Sequence, residues 1–212
     1  MPKISEEKRQ ARRDQILAAS WRCFSRRGIR LTSMDDIVRE SKLSFGAVYL
    51  YYESKDELIQ AAIAAASQVL QSFVVPILTR EPAYPPAIFI REMAKGLTAF
   101  ANRDALNFGV SFVMAWGEAQ FTPEIKAMSS TGQARYLELL IAVVRRWQNT
   151  GEISSKGKPE VTAKALFSLI LGFIVQSAIL GDISPDAYAK GFEGLFLAPL
   201  QPQNSTKRKS AK

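Results

Sequence analysis

The sequence predicts an all-α protein in which a small helical head precedes a larger helical body, and three observations carry that expectation. Apolar residues recur at three- and four-residue intervals along every long segment of the 212 residues, and no strand alternation, internal repeat or heptad run competes with them. Helix-start signals stand at Ser33, Ser44, Ser54-x-x-Glu57, Thr122-Pro123 and Ser184-Pro185. Charge is segregated: residues 1–55 hold 12 Lys/Arg against 7 Asp/Glu, residues 56–200 hold 12 against 13, and the last twelve residues add +4. A basic segment on a neutral body reads as a polyanion-binding head on a body with another task.

The first helix is expected over 11–27, where Ile16, Ala19, Ser20, Cys23 and Phe24 share a face and Gly28 ends it in a left-handed conformation. Ser33 opens the second, with Asp36 three residues on approximating a capping box. Ser44 caps a third helix that runs through Tyr49. Ser54-x-x-Glu57 is a full capping box for a long fourth helix with an apolar stripe through Leu58, Ala62, Val69 and Phe73, bounded at its far end by Pro76 and the loop 82–86.

In the body, an apolar-rich helix is expected over 88–100 and another over 106–116, after Asp104. Thr122 as N-cap with Pro123 at the first helical position opens a long helix that ends before Gly151. After the polar loop 154–159, helices follow over about 160–180 and, beyond Ser184-Pro185, over 186–197. The tail from Gln201 is polar and basic and is expected to be disordered. The domains are thus 1–55 for the head, 56–200 for the body and 201–212 for the tail.

Two short helices joined by a tight turn, followed at once by a long helix, form the pattern of a helix-turn-helix, which places its second helix in the major groove of DNA. The spacing goes further. Ile16-Leu17-Ala18-Ala19, Phe24 to Gly28, Thr32-Ser33 and the run from Ser44 through Tyr49, Tyr52 and Lys55 to Leu58 together resemble the TetR/AcrR family of bacterial transcriptional regulators over about residues 11–60. Beyond that the likeness rests on helical layout, length and the segments 116–119 and 151–153. It implies a helix-turn-helix three-helix head joined to a C-terminal helical ligand-binding and dimerisation domain.

Two positions depart from the family pattern. Lys42 stands in the turn where the family has glycine, which requires a left-handed lysine and turns its charge toward DNA. Tyr52 replaces the family's core phenylalanine, and its hydroxyl needs a partner.

The candidate DNA-binding residues are Ser33, Lys42, Ser44, Phe45, Gly46, Ala47, Tyr49, Tyr51 and Lys55. Ser33 and Ser44 are N-caps, and helix N-termini also receive phosphates. Phe45, Gly46 and Ala47 occupy the first turn of the recognition helix: Phe45 reaches a thymine methyl or packs within the head, and Gly46 permits close approach to the backbone. The resemblance makes Tyr49 a phosphate-contacting tyrosine, with Tyr51 a second, and Lys55 a phosphate-binding lysine. A lysine at a helix N-terminus opposes the helix dipole, so a functional reason for Lys55 is expected. The basic lead-in Lys8, Arg9, Arg12 and Arg13 contacts DNA or is merely solvated.

Enzyme chemistry finds little support. The chain has no histidine, no glycine-rich phosphate loop before a strand and no metal-ligand set; Ser155-x-x-Lys158 sits in a polar loop without companion motifs. Neither cofactor nor metal is expected. The single cysteine, Cys23, reads as a core residue. The charged first fifteen residues contain no secretory signal, which favours a cytoplasmic protein. The apolar stretch 165–180 is shorter than the roughly 20 residues that span a bilayer, so no membrane role is expected.

A helix apolar on most faces needs a second cover, and a second subunit is the expected one, through residues 160–197 with Tyr188, Phe192, Leu195 and Phe196 as the stripe of the last helix. The middle helices carry Phe89, Met93, Phe100, Phe108, Phe112, Trp116, Phe121 and Phe167 with hardly an ionisable group among them. The resemblance puts an effector pocket there. Met93, Phe112 and Trp116 are its candidate residues, and the expected effector is small and apolar. The expected protein is a homodimeric transcriptional regulator, a repressor released from a palindromic double-stranded DNA operator by that effector. The alternative is a ligand-independent architectural DNA-binding protein, which would have little use for a large, aromatic-rich body.

Overall fold

The computed structural model describes residues 5–102 and 108–196, with the side chains of Phe108, Ser111 and Phe196 outside that description. The helix start expected at Asp104 and Leu106, the side chains of Phe108 and Phe196, Leu197 and the basic tail from Gln201 therefore lie outside the described residues. Among those described, the chain is helical throughout and contains no strand. The elements are α1 (Glu6–Leu31), α2 (Met34–Ser41), α3 (Phe45–Tyr49), α4 (Lys55–Leu78), α5 (Pro86–Ala101), α6 (Phe108–Glu118), α7 (Pro123–Thr150), α8 (Pro159–Ile179) and α9 (Pro185–Phe196).

Helix α1 starts earlier than its apolar face suggests, because the Ser5 hydroxyl accepts the Lys8 amide and Glu6 and Glu7 sit where the dipole favours acid. Gly28 does break it, at φ 79° and ψ 160°, but a further helical turn follows to Leu31. Helix α2 carries the complete capping box, with the Ser33 hydroxyl accepting the Asp36 amide and the Asp36 carboxylate accepting the Ser33 amide. At α4 the expected box is offset: Ser54 accepts the Glu57 amide, while the Glu57 carboxylate takes the amide of Glu53 at 2.7 Å. Pro76 does not end α4. It lies inside the helix, which continues to Leu78.

Pro123 is the first residue of α7, but Thr122 contributes no side-chain cap; its hydroxyl approaches the Glu118 carboxylate instead. Gly151, at φ 77° and ψ 11°, closes α7 in the left-handed region that suits glycine. Helices α4 and α8 are both long and apolar enough to cross a membrane by length and composition. The 21-residue α8 thus exceeds the length read from its apolar stretch, because the polar turn at Pro159 belongs to the helix. Both helices pack into the bundle, α4 against α1, α5 and α7 and α8 against α5, α6 and α7.

The head is held by Ile16, Ala19 and Phe24 of α1 with Ile37, Val48 and Leu58, all buried. Burying each large apolar side chain contributes about 1.5–3 kcal/mol. In the body, Trp147 donates its indole N–H to the Tyr84 carbonyl at 2.7 Å and meets Phe89 edge-on at 5.1 Å. Helix α9 lies along α5, and the Tyr188 hydroxyl donates to the Leu169 carbonyl at 2.7 Å while its ring lies 4.9 Å from Phe173. Tyr188 and Phe192 thus pack partly on their own subunit's core and stay half-exposed, while Leu195 is 77% exposed. The open face of α8 runs through Val161, Ala165, Ser168, Gly172 and Ile179.

Candidate nucleic-acid interface and effector cavity

The turn between α2 and α3 is built on Lys42, at φ 58° and ψ 27°, whose amide donates to the Arg39 carbonyl. The left-handed lysine read from the sequence is present, and its side chain is exposed. The Ser44 hydroxyl accepts the Ala47 amide at 3.3 Å, and the first turn of α3 contains no acidic residue. Val48 is buried and anchors α3, which leaves Phe45 54% exposed and Leu50 75% exposed. Gly46 is exposed, with open space where a side chain would be. Ala47 is half-buried.

Phe45 and Tyr49 stack at 4.2 Å with their planes 25° apart, so the two rings form one apolar edge along α3. Tyr51 is half-buried against the head core, and Tyr52 is buried, which pushes its phenol pKa up. Ser33 is more committed than its neighbours, since its hydroxyl and its amide are both engaged by Asp36. Lys55 has a structural partner that the dipole argument missed: its ammonium donates to the Arg30 carbonyl at 3.1 Å. Leu50 was not among the sequence candidates. Its place one residue past Tyr49 on a helix anchored by Val48 is the signal that marks it.

Much of the head's positive charge is paired internally. Glu40 takes Arg22 at 2.6 Å and also Arg26, and these hydrogen bonds hold its pKa below the usual carboxylate value. Asp36 takes Arg27 and Arg39, each at 3.0 Å, and its pKa is lowered first by the Ser33 amide. Pairing leaves the net basic excess of the head unchanged, since these carboxylates are already counted against it, but it engages Arg22, Arg26, Arg27 and Arg39 within the head. Cys23 is buried, its thiol pKa raised by desolvation, which fits a core residue.

In the body, a cavity of about 690 Å³ opens between α4, α5, α6, α7 and α8. Met93, Phe112 and Trp116 all line it, as do Phe100 and Phe167. Phe89 does not, being packed on Trp147, and Phe121 is 69% exposed under the Arg30 guanidinium. Among the lining residues that sequence reasoning missed are Trp21, which comes from α1 in the head, and Tyr136, which lies on the same stripe of α7 as Leu140. The wall therefore joins head and body. Two residues beyond Trp116, Glu118 stands 3.7 Å from Arg30.

Residues 16–62 match the model of bacterial regulatory proteins of the tetR family, and residues 96–191 match the C-terminal model of BetI-type transcriptional repressors. The chain belongs to the TetR family of transcriptional regulators. Like its family, it carries a DNA-binding head and is a regulator rather than an enzyme. YfiR of Bacillus subtilis, a helix-turn-helix regulator, is 42% identical over 62 residues, which are 29% of this chain and 30% of that one, so the chain spans under a third of YfiR. UidR of Escherichia coli K12, another such regulator, is 26% identical over 182 residues, 85% of this chain and 86% of UidR.

Among solved structures, GusR of Salmonella enterica superposes with a TM-score of 0.67 at 24% identity, covering 92% of this chain and 99% of GusR. A structure from Saccharomonospora viridis in complex with choline gives 0.72 at 18% identity, over 90% of this chain and 97% of that one. At these identities the structures establish for this TetR-family chain the helix-turn-helix head and helical C-terminal domain, as a fold.

Proposed function

We propose that the protein is a ligand-responsive repressor that binds a palindromic DNA operator as a homodimer in the cytoplasm and is released by a small, largely apolar effector. The observation that carries this reading is the shared wall of the cavity, in which Trp21 of α1 and Trp116 of α6 face the same space. A molecule seated there touches head and body at once. Its differential affinity for two head positions is what shifts the population between DNA-competent and DNA-released dimers. Repression is supported by the repressor type of the C-terminal model and by the name of a relative, the repressor BepR of Brucella suis, 24% identical over 169 residues.

In this reading residues 1–55 are the DNA-binding head and 56–200 the effector and dimerisation domain. Lys42, Ser44, Tyr49, Tyr51 and Lys55 contact phosphates, which position the head, while Phe45, Gly46 and Ala47 meet the bases. Ser33 is the weakest of the set because Asp36 already occupies its helix terminus. Two heads roughly 34–36 Å apart read two half-sites on one face of the duplex.

The test is selection of binding sites from a random duplex library, followed by gel-shift titration. A selected palindrome bound by two chains and released by apolar aromatic compounds is the expected result. Binding without sequence preference and without response to any compound would favour the architectural protein instead.

A further inference from the structure

The cavity has two unlike sides. Every exposed residue in its described lining belongs to α4 or α7, with Ser67 and Gln68 on one helix and Thr131 and Arg135 on the other, so its open side lies between them. Polarity follows the same division: the Ser, Thr, Gln and Arg side chains of that lining all stand on α4 and α7. What α5, α6 and α8 contribute is apolar, from the buried Met93, Leu97 and Ile170 to the rings of Phe112, Trp116 and Phe167. A space of this kind suits a molecule with an apolar body and one polar end.

Arg135 carries the single formal charge in the described lining. Its side chain makes no ion pair or hydrogen bond among the described residues, whereas Arg145 and Arg146 farther along α7 are held by Glu160 and Glu81. Burial pushes the Tyr136 pKa up and the Arg135 charge opposes that push, so the field of the guanidinium is felt at the cavity wall. The aromatic rings by themselves would accept a cation on their faces as well as an apolar group. The sign of the ligand's charge is therefore decided at Arg135, whose planar fork matches a carboxylate with two parallel hydrogen bonds.

We propose that the effector is an amphiphilic anion, a carboxylate on an apolar body, which lays the body against α5, α6 and α8 and sets the carboxylate on Arg135 between α4 and α7. This rests on the reading of the cavity as the effector site. The apolar walls supply most of the affinity, and the guanidinium chooses among molecules of one shape by their charged end. Because that end stays at the open side, the carboxylate keeps part of its hydration and avoids the full cost of burying a charge.

The experiment uses the full-length protein and three probes that share one naphthylmethyl body: 2-naphthylacetate, 2-(2-naphthyl)ethanol and (2-naphthylmethyl)trimethylammonium. Calorimetric titration gives each affinity, and release of the selected operator is followed in parallel. The carboxylate is expected to bind about tenfold more tightly than the alcohol, on the scale of one charge-assisted hydrogen bond, and the ammonium more weakly than the alcohol. Arg135 is exposed, so substitution there should leave the fold intact. Arg135→Gln is expected to bring the carboxylate to within about twofold of the alcohol while leaving the alcohol unchanged. Arg135→Lys should retain part of the preference, since it keeps the charge but not the fork. Lys126→Gln, which removes an exposed cation of α7 outside the lining, should leave the preference as it is in the wild type.

Equal affinities of carboxylate and alcohol in the wild type, a preference that survives in Arg135→Gln, an equal loss of it in Lys126→Gln, or tighter binding of the ammonium than of the carboxylate would each overturn the proposal. If no probe binds, or if the probes bind without weakening the operator complex, the effector reading of the cavity falls and takes the proposal with it. That result is distinct from a lost preference among the three polar ends.

Discussion

The Lys55 ammonium donates to the Arg30 carbonyl at 3.1 Å, which ties the first residue of α4 to the last turn of α1. The Arg30 guanidinium in turn stands 3.7 Å from Glu118 and 4.7 Å from the centre of the Phe121 ring, both just beyond Trp116. Three segments meet at one residue: the last turn of α1, the start of α4 and the end of α6 with the turn that follows it.

Lys55→Ala is expected to weaken operator binding across sequences and to reduce the salt slope by about one unit, the signature of one lost phosphate contact. Fluorescence anisotropy titrations over a salt series measure both quantities. Weaker binding with an unchanged slope would assign Lys55 to the α1–α4 tie alone.

Arg30→Ala tests the junction. An exposed ion pair contributes at most about 1 kcal/mol to stability, so the fold should survive. Effector affinity of the free protein should change little, whereas the factor by which effector weakens DNA binding should shrink several-fold, within the 5–150-fold range typical of coupling between sites. A wild-type coupling factor in the variant would show that the signal bypasses Arg30.

Phe45 is expected to read a thymine methyl, because α3 offers no Arg, Asn or Gln for bidentate base contacts and its exposed edge is apolar. Replacing the contacted thymine by uracil removes one methyl group and should cost about 0.8 kcal/mol, about fourfold in affinity. Phe45→Ala should abolish that sensitivity. A uracil scan of the selected operator in which every thymine proves neutral would remove Phe45 from base reading.

The Glu40 clamp gives the head an acid dependence. Its folded pKa is depressed, first by the Arg22 hydrogen bond, and that of Asp36 is depressed, first by the Ser33 amide. A carboxylate with a lowered folded pKa contributes stability that is present above its unfolded value, about 4.3 for Glu and 3.9 for Asp, and is lost as pH falls through the folded value. Thermal stability should therefore be flat from neutral pH to about 5 and fall below about 4, with a shallower fall in Glu40→Gln. Identical pH profiles for the two proteins would deny the clamp a role.

Much of this architecture is readable from local signals. The caps at Ser33, Ser44 and Ser184, the left-handed Lys42 and the stop at Gly151 are short-range chemistry, and a window of a few residues contains all of it. Pro76 misled because a proline near a helix end reads as a terminus, while the packing of α4 carries the helix on for two more residues. The face of α9 was legible only in part, because periodicity tells which residues share a face but not which neighbours touch it, and the half-buried Tyr188 and Phe192 also pack on their own subunit's core. Trp21 and Tyr136 escaped notice as cavity residues because the space they share exists only once four other helices, α4, α5, α6 and α8, have been placed around it.

The open face of α8 carries the last prediction. Val161 and Ile179 are 64% and 67% exposed, with Ala165, Ser168 and Gly172 between them on the same side, a row of small residues that admits close approach of a second helix. A side chain added at Gly172 would meet nothing within 4 Å inside the subunit, so Gly172→Arg should fold as the wild type does. Between subunits the same arginine would have to bury a charge against an apolar face, at a cost that well exceeds what the contact can return. The wild type is therefore expected to sediment as a dimer at micromolar concentration, and Gly172→Arg as a monomer with unchanged helical circular dichroism. Because operator affinity depends on two linked heads, the variant should also lose most of its binding to a palindrome while its binding to a single half-site changes little. A wild type that sediments as a monomer, or a Gly172→Arg variant that remains dimeric, would move the subunit contact off α8.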